Sequence, residues 1–234
     1  MRYKVILFDA DDTLFDYGRA EAEALRQTFE AFGLPEGAAE YGASYREINK
    51  ALWRELELGT ITSASLRLER FRRLFETNGL ALDPEAFSTA YLAGLGRGSY
   101  LIEGAEALCG SLTGCRLAVI TNGIKDVQTS RIAGSPLCST FERVIISEVA
   151  GCQKPERGIF DYAFAELGLS DKREVLMVGD SLTSDIAGGA NYGIDTCWFN
   201  PHGRPNDTEV VPTYEIRHLS ELTGIIHSGV IQAG

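Results

Sequence analysis

Two hydrophobic rhythms divide the chain. Val5-Ile6-Leu7-Phe8 is an unbroken apolar run, which predicts a strand buried on both faces, and it stops at the polar segment Asp9-Ala10-Asp11-Asp12-Thr13. From about Asp16 to Arg97 the apolar positions recur at helical spacing. Ala20, Ala24, Leu25, Thr28, Phe29 and Phe32 form one stripe, with Gly33 placed to end it. Tyr45, Ile48, Leu52 and Leu56 form a second, closing at Gly59. Thr62 or Ser63 can cap a third helix carrying Leu66, Phe71 and Leu74, stopped near Asn78-Gly79. Asp83-Pro84-Glu85 has the order of an N-cap and first turn of a fourth. The block contains no strand pattern.

After Gly98 the rhythm alternates. Arg116–Ile120, Val144–Ile146, Val175–Val178 and Thr196–Phe199 read as strands. Helical spacing falls between them, from about Ala105, over Val127–Ala133, over Arg157–Leu167 and over Ser184–Tyr192. Strand alternating with helix predicts parallel strands joined by right-handed crossovers. The strand Val5–Phe8 is too apolar to stand outside that sheet. The expected fold class is therefore α/β: a Rossmann-like, doubly wound parallel sheet core of residues 1–15 and 98–234, with a helical bundle of residues 16–97 inserted after the first strand. A further strand near Thr213–Ile216 and a short helix after His218 are expected in the tail, without chemistry assigned to them.

Composition narrows the partners. Against 22 Lys and Arg stand 33 Asp and Glu, a net charge of −11. So acidic a chain argues against a nucleic-acid polymer or an anionic membrane as main partner. An anionic small molecule would need local cations. No stretch has the length of a membrane span, and the N-terminus lacks the pattern of a secretory signal. Cys109, Cys115, Cys138, Cys152 and Cys197 are odd in number and form no C-x-x-C, so reduced thiols and a cytoplasmic location are expected. All three His lie after position 200, which leaves little for a histidine-based centre.

Candidate chemistry is sought at the carboxyl ends of the strands, where open α/β sheets bind ligands. Asp9 and Asp11 lie two apart at the end of the first strand and can face one spot, an arrangement that shared protons or cations relieve. Arg116–Ile120 runs into Thr121-Asn122-Gly123, a hydroxyl, an amide and a glycine suited to a phosphate. Val144–Ile146 is followed by Gln153-Lys154-Pro155, with Lys154 on extended chain before a helix that starts at or just after Pro155. Val175–Val178 ends in Gly179-Asp180, with Asp185 in the first turn of the next helix. Taken singly, each also reads as ordinary structure: an acidic turn, an Asn-Gly turn, a surface lysine, and an acid complementing a helix dipole.

Together, D-x-D-x-T, T-N-G, K-P and G-D-x-x-x-x-D, each after its own strand, resemble the four motifs of the haloacid dehalogenase (HAD) superfamily of phosphohydrolases. The resemblance covers the whole chain, because the helical insert lies where that superfamily carries its helical cap (subfamily I, C1 type). It implies Asp9 as the nucleophile and Asp11 as the general acid/base. It implies Mg²⁺ held by Asp9, the backbone carbonyl of Asp11 and Asp180, with Asp185 supporting the metal shell. It implies Thr121, Lys154 and the backbone N–H of Asn122 as phosphate holders. An acid at Asp11 implies phosphate monoesters, since dehalogenating and phosphonate-cleaving members lack one there. Asp12 is a departure, standing where many members have Gly.

Finer features resemble the YjjG-type branch of pyrimidine 5′-nucleotidases: Phe8 to Asp16, Leu52-Trp53-Arg54, Gly59-Thr60-Ile61-Thr62 and Asp195-Thr196-Cys197-Trp198-Phe199-Asn200-Pro201. That branch implies a small phosphomonoester substrate and a cap that closes over it, with Asn49, Trp53, Glu57 and Thr60 as candidates to touch the leaving group. Trp53 reads equally well as a core-facing helix residue. A phosphatase of sugar phosphates or phosphoglycolate is the alternative expectation. A non-catalytic phosphate-binding module is another, and the acid at Asp11 speaks against it. Oligomeric state and physiological substrate are open at this level.

Overall fold

A computed structural model describes residues 1–228, so the last six residues of the expected core segment, 229–234, lie outside the described residues. Two compact units divide the chain. One comprises Met1–Asp16, Tyr100–Lys125 and the chain from Ile132 onward; the other comprises Tyr17–Ser99 with Asp126–Arg131.

The first unit is a parallel sheet flanked by helices. Its strands are β1 (Val5–Phe8), β2 (Arg116–Thr121), β3 (Arg143–Ile146), β4 (Val175–Gly179), β5 (Asp195–Phe199) and β6 (Tyr214–Ile216). The order is β3-β2-β1-β4-β5-β6, with every pairing parallel. Chain order reverses at β1, so its carboxyl end lies at the switch point where such sheets open a crevice. Both faces of β1 are covered, which is why its four residues are all apolar. Ile6 and Phe8 join Val119, Leu176 and Val178 on one face. Val5 and Leu7 join Ala118, Ile120 and Met177 on the other.

The sheet and crossovers that the alternation predicts are present, with local differences. β2 runs one residue further, through Thr121, and β3 begins one residue earlier, at Arg143. A single short turn of helix over Ser147–Ala150 follows β3, too brief for periodicity to reveal. The segment expected as a helix from Ser184 opens as a wide π-type turn, Leu182–Ile186, and becomes α-helical at Ala187–Tyr192.

The second unit is helical: α1 (Tyr17–Ala31), α2 (Gly37–Glu57), α3 (Ser63–Asn78) and α4 (Pro84–Arg97). The capping residues act as the sequence suggests. Thr62 Oγ1 accepts from Ser65 N, and Asp83 accepts from Glu85 N and Ala86 N. Gly79, at φ +64°, closes α3 in the left-handed conformation. Phe29, Phe71, Phe75 and Phe87 meet at ring separations between 4.9 and 6.2 Å and fill the bundle. Asp126–Arg131 belongs with this unit through Arg131, whose Nε donates to Gly98 O at 3.2 Å and whose carbonyl accepts from Ser99 Oγ at 2.9 Å. Among the described residues no helix is long and apolar enough to cross a membrane.

Candidate active site

Chain segments that leave the carboxyl ends of β1, β3 and β4 deliver the acidic groups and the cation to one point. Asp9 follows β1, and its N–H donates to Val178 O at 2.8 Å, so β4 sets the direction in which the chain leaves the sheet. The turn beyond it is closed by Leu14 N and Phe15 N donating to Ala10 O. Asp12 sits in that turn at φ +58°, a left-handed conformation that a short Asp side chain tolerates and Gly adopts freely. The departure from Gly at this position therefore keeps the backbone shape and adds a charge.

Lys154 is the hub. Its side chain is only 1% exposed, and its Nζ donates to Asp9 Oδ1 (2.6 Å), Asp185 Oδ1 (2.7 Å) and Ile120 O (2.7 Å). All three ammonium donors are engaged, so a phosphate oxygen would have to share or replace one of them. Asn122 places this lysine by a reciprocal pair: Asn122 Nδ2 donates to Lys154 O (2.9 Å) and Lys154 N donates to Asn122 Oδ1 (2.8 Å). The Lys154–Pro155 bond is cis, and the helix Arg157–Leu167 follows. Thr121, also buried, accepts from Gly123 N at 3.0 Å and keeps its hydroxyl proton to donate.

Asp185 is fully buried and held on both oxygens, Oδ1 by Lys154 and Oδ2 by Ser181 N at 3.0 Å. This explains the glycine before Asp180. A Cβ on Gly179 would stand 2.2 Å from Asp185 Oδ2, so only a residue without one leaves room for the carboxylate. Asp180 lies at the end of β4. Its backbone carbonyl accepts from Trp198 Nε1 (2.9 Å) and Arg204 Nη2 (3.0 Å). A cleft of about 450 Å³ opens beside it, walled in part by Thr183, Trp198 and Arg204.

The electrostatics of the cluster are dominated by buried negative charge. Lys154 is held above its ordinary value: burial pulls it down, but the Asp185 and Asp9 carboxylates outweigh that. Asp9 is pushed well above the carboxylate range, first by burial and then by Asp185, Asp11 and Asp180, against the opposing pull of Lys154. Asp180 is pushed up to about 7 by burial, Asp185 and Asp12, with Arg204 opposing. One buried ammonium does not balance three converging carboxylates. Carboxylate oxygens of Asp9, Asp180 and Asp185 lie within 4.8 Å of one another. An all-oxygen donor set short of positive charge fits a hard divalent cation such as Mg²⁺.

Asp11, half-buried, follows two residues after Asp9 and bridges backbone-to-backbone to Phe15. The other candidates belong to the helical unit. Asn49 is buried on α2 and donates from Nδ2 to Glu21 Oε1 at 3.1 Å. Trp53 is half-buried and packs against the cluster of Leu52, Leu56 and Leu66. Glu57 and Thr60 are exposed, and Thr60 Oγ1 donates to Glu55 O at 2.8 Å. The Asn122 amide, which the sequence offered to a phosphate together with the Thr121 hydroxyl, instead engages the Lys154 backbone with both its oxygen and its nitrogen. No role was assigned from sequence to Arg204 or Asn200. The run Trp198-Phe199-Asn200-Pro201 was the one available signal for these two.

Comparison with known proteins agrees with this geometry. A family model described as haloacid dehalogenase-like hydrolase matches residues 3–193. The HAD-hydrolase YfnB of Bacillus subtilis is 40% identical over 227 residues, covering 97% of this chain and 96% of that protein. Its magnesium-bound crystal structure superposes with a TM-score of 0.90, covering 97% of this chain and 100% of that one. The pyrimidine 5′-nucleotidase PynA of Streptococcus pneumoniae is 38% identical, covering 99% of this chain and 98% of its own. The pyrimidine 5′-nucleotidase YjjG of Escherichia coli is 34% identical, covering 97% and 99%. A sheet with its switch point at β1, a carboxylate cluster bridged by Lys154, and end-to-end similarity to these hydrolases together mean that the chain is an enzyme of the haloacid dehalogenase-like hydrolase family.

Proposed function

We propose that this enzyme hydrolyses phosphomonoesters through a phosphorylated Asp9, with Mg²⁺ as cofactor and pyrimidine nucleoside 5′-monophosphates as substrates. The observation that carries the reading is the contact of one buried ammonium, Lys154 Nζ, with both Asp9 and Asp185 at the carboxyl edge of the sheet. An acid that must act as a nucleophile has to be ionised in a buried place, and an adjoining fixed cation favours that form.

Asp9 Oδ attacks phosphorus, forming the acyl phosphate as the bond to the ester oxygen breaks. Asp11 gives its proton to the departing nucleoside oxygen, then takes one from a water that attacks the same phosphorus; the bond from phosphorus to the Asp9 oxygen breaks, which frees inorganic phosphate and restores the Asp9 carboxylate. Thr121 and the backbone N–H of Asn122 hold phosphoryl oxygens, while Lys154 neutralises charge and, through Asp185 and Ile120, keeps a fixed position. Asp9, the Asp11 carbonyl and Asp180 would hold Mg²⁺, with Asp185 in support; the ion supplies positive charge to the phosphoryl group. Asn49, Trp53, Glu57 and Thr60 are proposed to contact the nucleoside. PynA and YjjG, both named as pyrimidine 5′-nucleotidases, support the choice of leaving group.

The test is a panel of dUMP, dTMP, UMP, AMP, glucose 6-phosphate and phosphoglycolate, each with Mg²⁺ and with EDTA. Preference for the pyrimidine nucleotides, lost in EDTA, is the expected result. Equal rates on sugars and nucleotides would remove the nucleotidase reading, and no turnover of any monoester would remove the phosphatase reading.

A further inference from the structure

The run Trp198-Phe199-Asn200-Pro201 and the tail behind it have no part in the chemistry above, yet they end on a side chain proposed to bind metal. Asn200 is fully buried at the end of β5 and ties down Arg204 reciprocally. Asn200 Nδ2 donates to Arg204 O, and Arg204 N donates to Asn200 Oδ1, both at 2.9 Å. The same Nδ2 donates to Glu215 Oε1 at 2.8 Å, anchoring the loop to β6. Arg204 then reaches Asp180 with Nη2, 3.0 Å from the backbone carbonyl and 3.4 Å from Oδ2. Trp198 Nε1 donates to the same carbonyl.

Asp180 is thus held at its carbonyl from two sides and at one carboxylate oxygen. The other oxygen is the one left to offer. We propose that Arg204 is a positioning residue that makes Asp180 a single-oxygen ligand and thereby sets the site's preference for Mg²⁺ over Ca²⁺. Ca²⁺ takes six to eight oxygens and commonly uses both oxygens of one carboxylate, whereas Mg²⁺ demands a compact octahedron of single oxygens. Occupying Oδ2 with a guanidinium withholds the second oxygen from the larger ion and costs the smaller one little. A guanidinium acting only as a nearby positive charge would instead weaken both ions alike. The two accounts therefore differ in the ratio of affinities, not in either affinity alone.

This inference rests on Asp180 being a metal ligand, as in the proposed function, and calorimetry of the full EDTA-stripped chain tests the two separately. MgCl₂ and CaCl₂ are titrated in turn into the wild type, Arg204→Ala and Arg204→Gln. The Arg204 side chain is 51% exposed, so both variants should keep the wild-type urea midpoint without metal, and either one suffices for the comparison. The expected result is a Ca²⁺-to-Mg²⁺ affinity ratio raised about tenfold, the order that one charge-assisted hydrogen bond to a carboxylate sets. Equal changes for both ions, or no change, would overturn the positioning role while leaving the metal site standing. A wild-type chain that binds no Mg²⁺ would overturn both.

Discussion

Lys154→Met offers the most searching single perturbation. The ammonium is buried, and it contacts Asp9 at 2.6 Å and Asp185 at 2.7 Å. Methionine keeps an unbranched side chain of similar length, so little volume is lost and the change is chiefly one of charge. Breaking a buried ion pair by removing one partner costs about 3–5 kcal/mol, because the remaining charge is stranded. Here two carboxylates are stranded, but they shared one cation, so their costs do not add. A loss of about 3–5 kcal/mol is a large part of the roughly 5–15 kcal/mol that holds a domain folded. Urea unfolding in EDTA should show a clearly lowered midpoint with an unchanged slope. Phosphate release from dUMP in saturating Mg²⁺ should fall about 10²–10³-fold, the scale of losing one aimed electrostatic group. Arg should not substitute, since its planar fork does not match three converging acceptors as the ammonium does. A variant with the wild-type urea midpoint, or with a rate within about tenfold of wild type, would show that Lys154 is neither the counter-ion nor the charge neutraliser argued here.

Four further outcomes can be checked. Asp9→Asn should abolish turnover with the fold intact, since an amide does not form the acyl phosphate; substantial remaining phosphate release would refute the nucleophile. Asp180→Asn should shift the Mg²⁺ titration of activity to higher concentration, and an unshifted curve would take Asp180 off the ligand set. Gly179→Ala should destabilise by about 1–3 kcal/mol in urea, because its Cβ would overlap Asp185 Oδ2; a neutral result would mean the carboxylate can move aside. Burial pushes the Cys109 thiol up to about 12, and Cys138 is exposed, so a thiol reagent at pH 8 should label Cys138 first and Cys109 only on unfolding. The sign is that of a raised value: the neutral buried thiol stabilises the fold below its unfolded pKa, and this contribution is lost as pH climbs toward 12.

The chain order of residues was enough to read much of this. Val5–Phe8 had to be an interior strand, because four successive apolar residues on extended chain need cover on both faces. The helical block was legible from spacing and from Thr62, Asp83 and Gly79, whose capping roles depend on neighbours within a few residues. Motifs placed after separate strands nominated Asp9, Lys154, Asp180 and Asp185, because parallel strands bring their carboxyl ends to one edge. What needed the tertiary structure was every relation across long separation in sequence. That one ammonium contacts Asp9, Ile120 and Asp185 together depends on the β2-β1-β4 neighbourhood, which no local pattern encodes. That Asn122 grips the backbone of Lys154, and Arg204 the carbonyl of Asp180, depends on loops whose side chains carry no periodicity. Local chemistry names the reactive groups; only the packed sheet decides which of them face each other and which oxygen each has left to give.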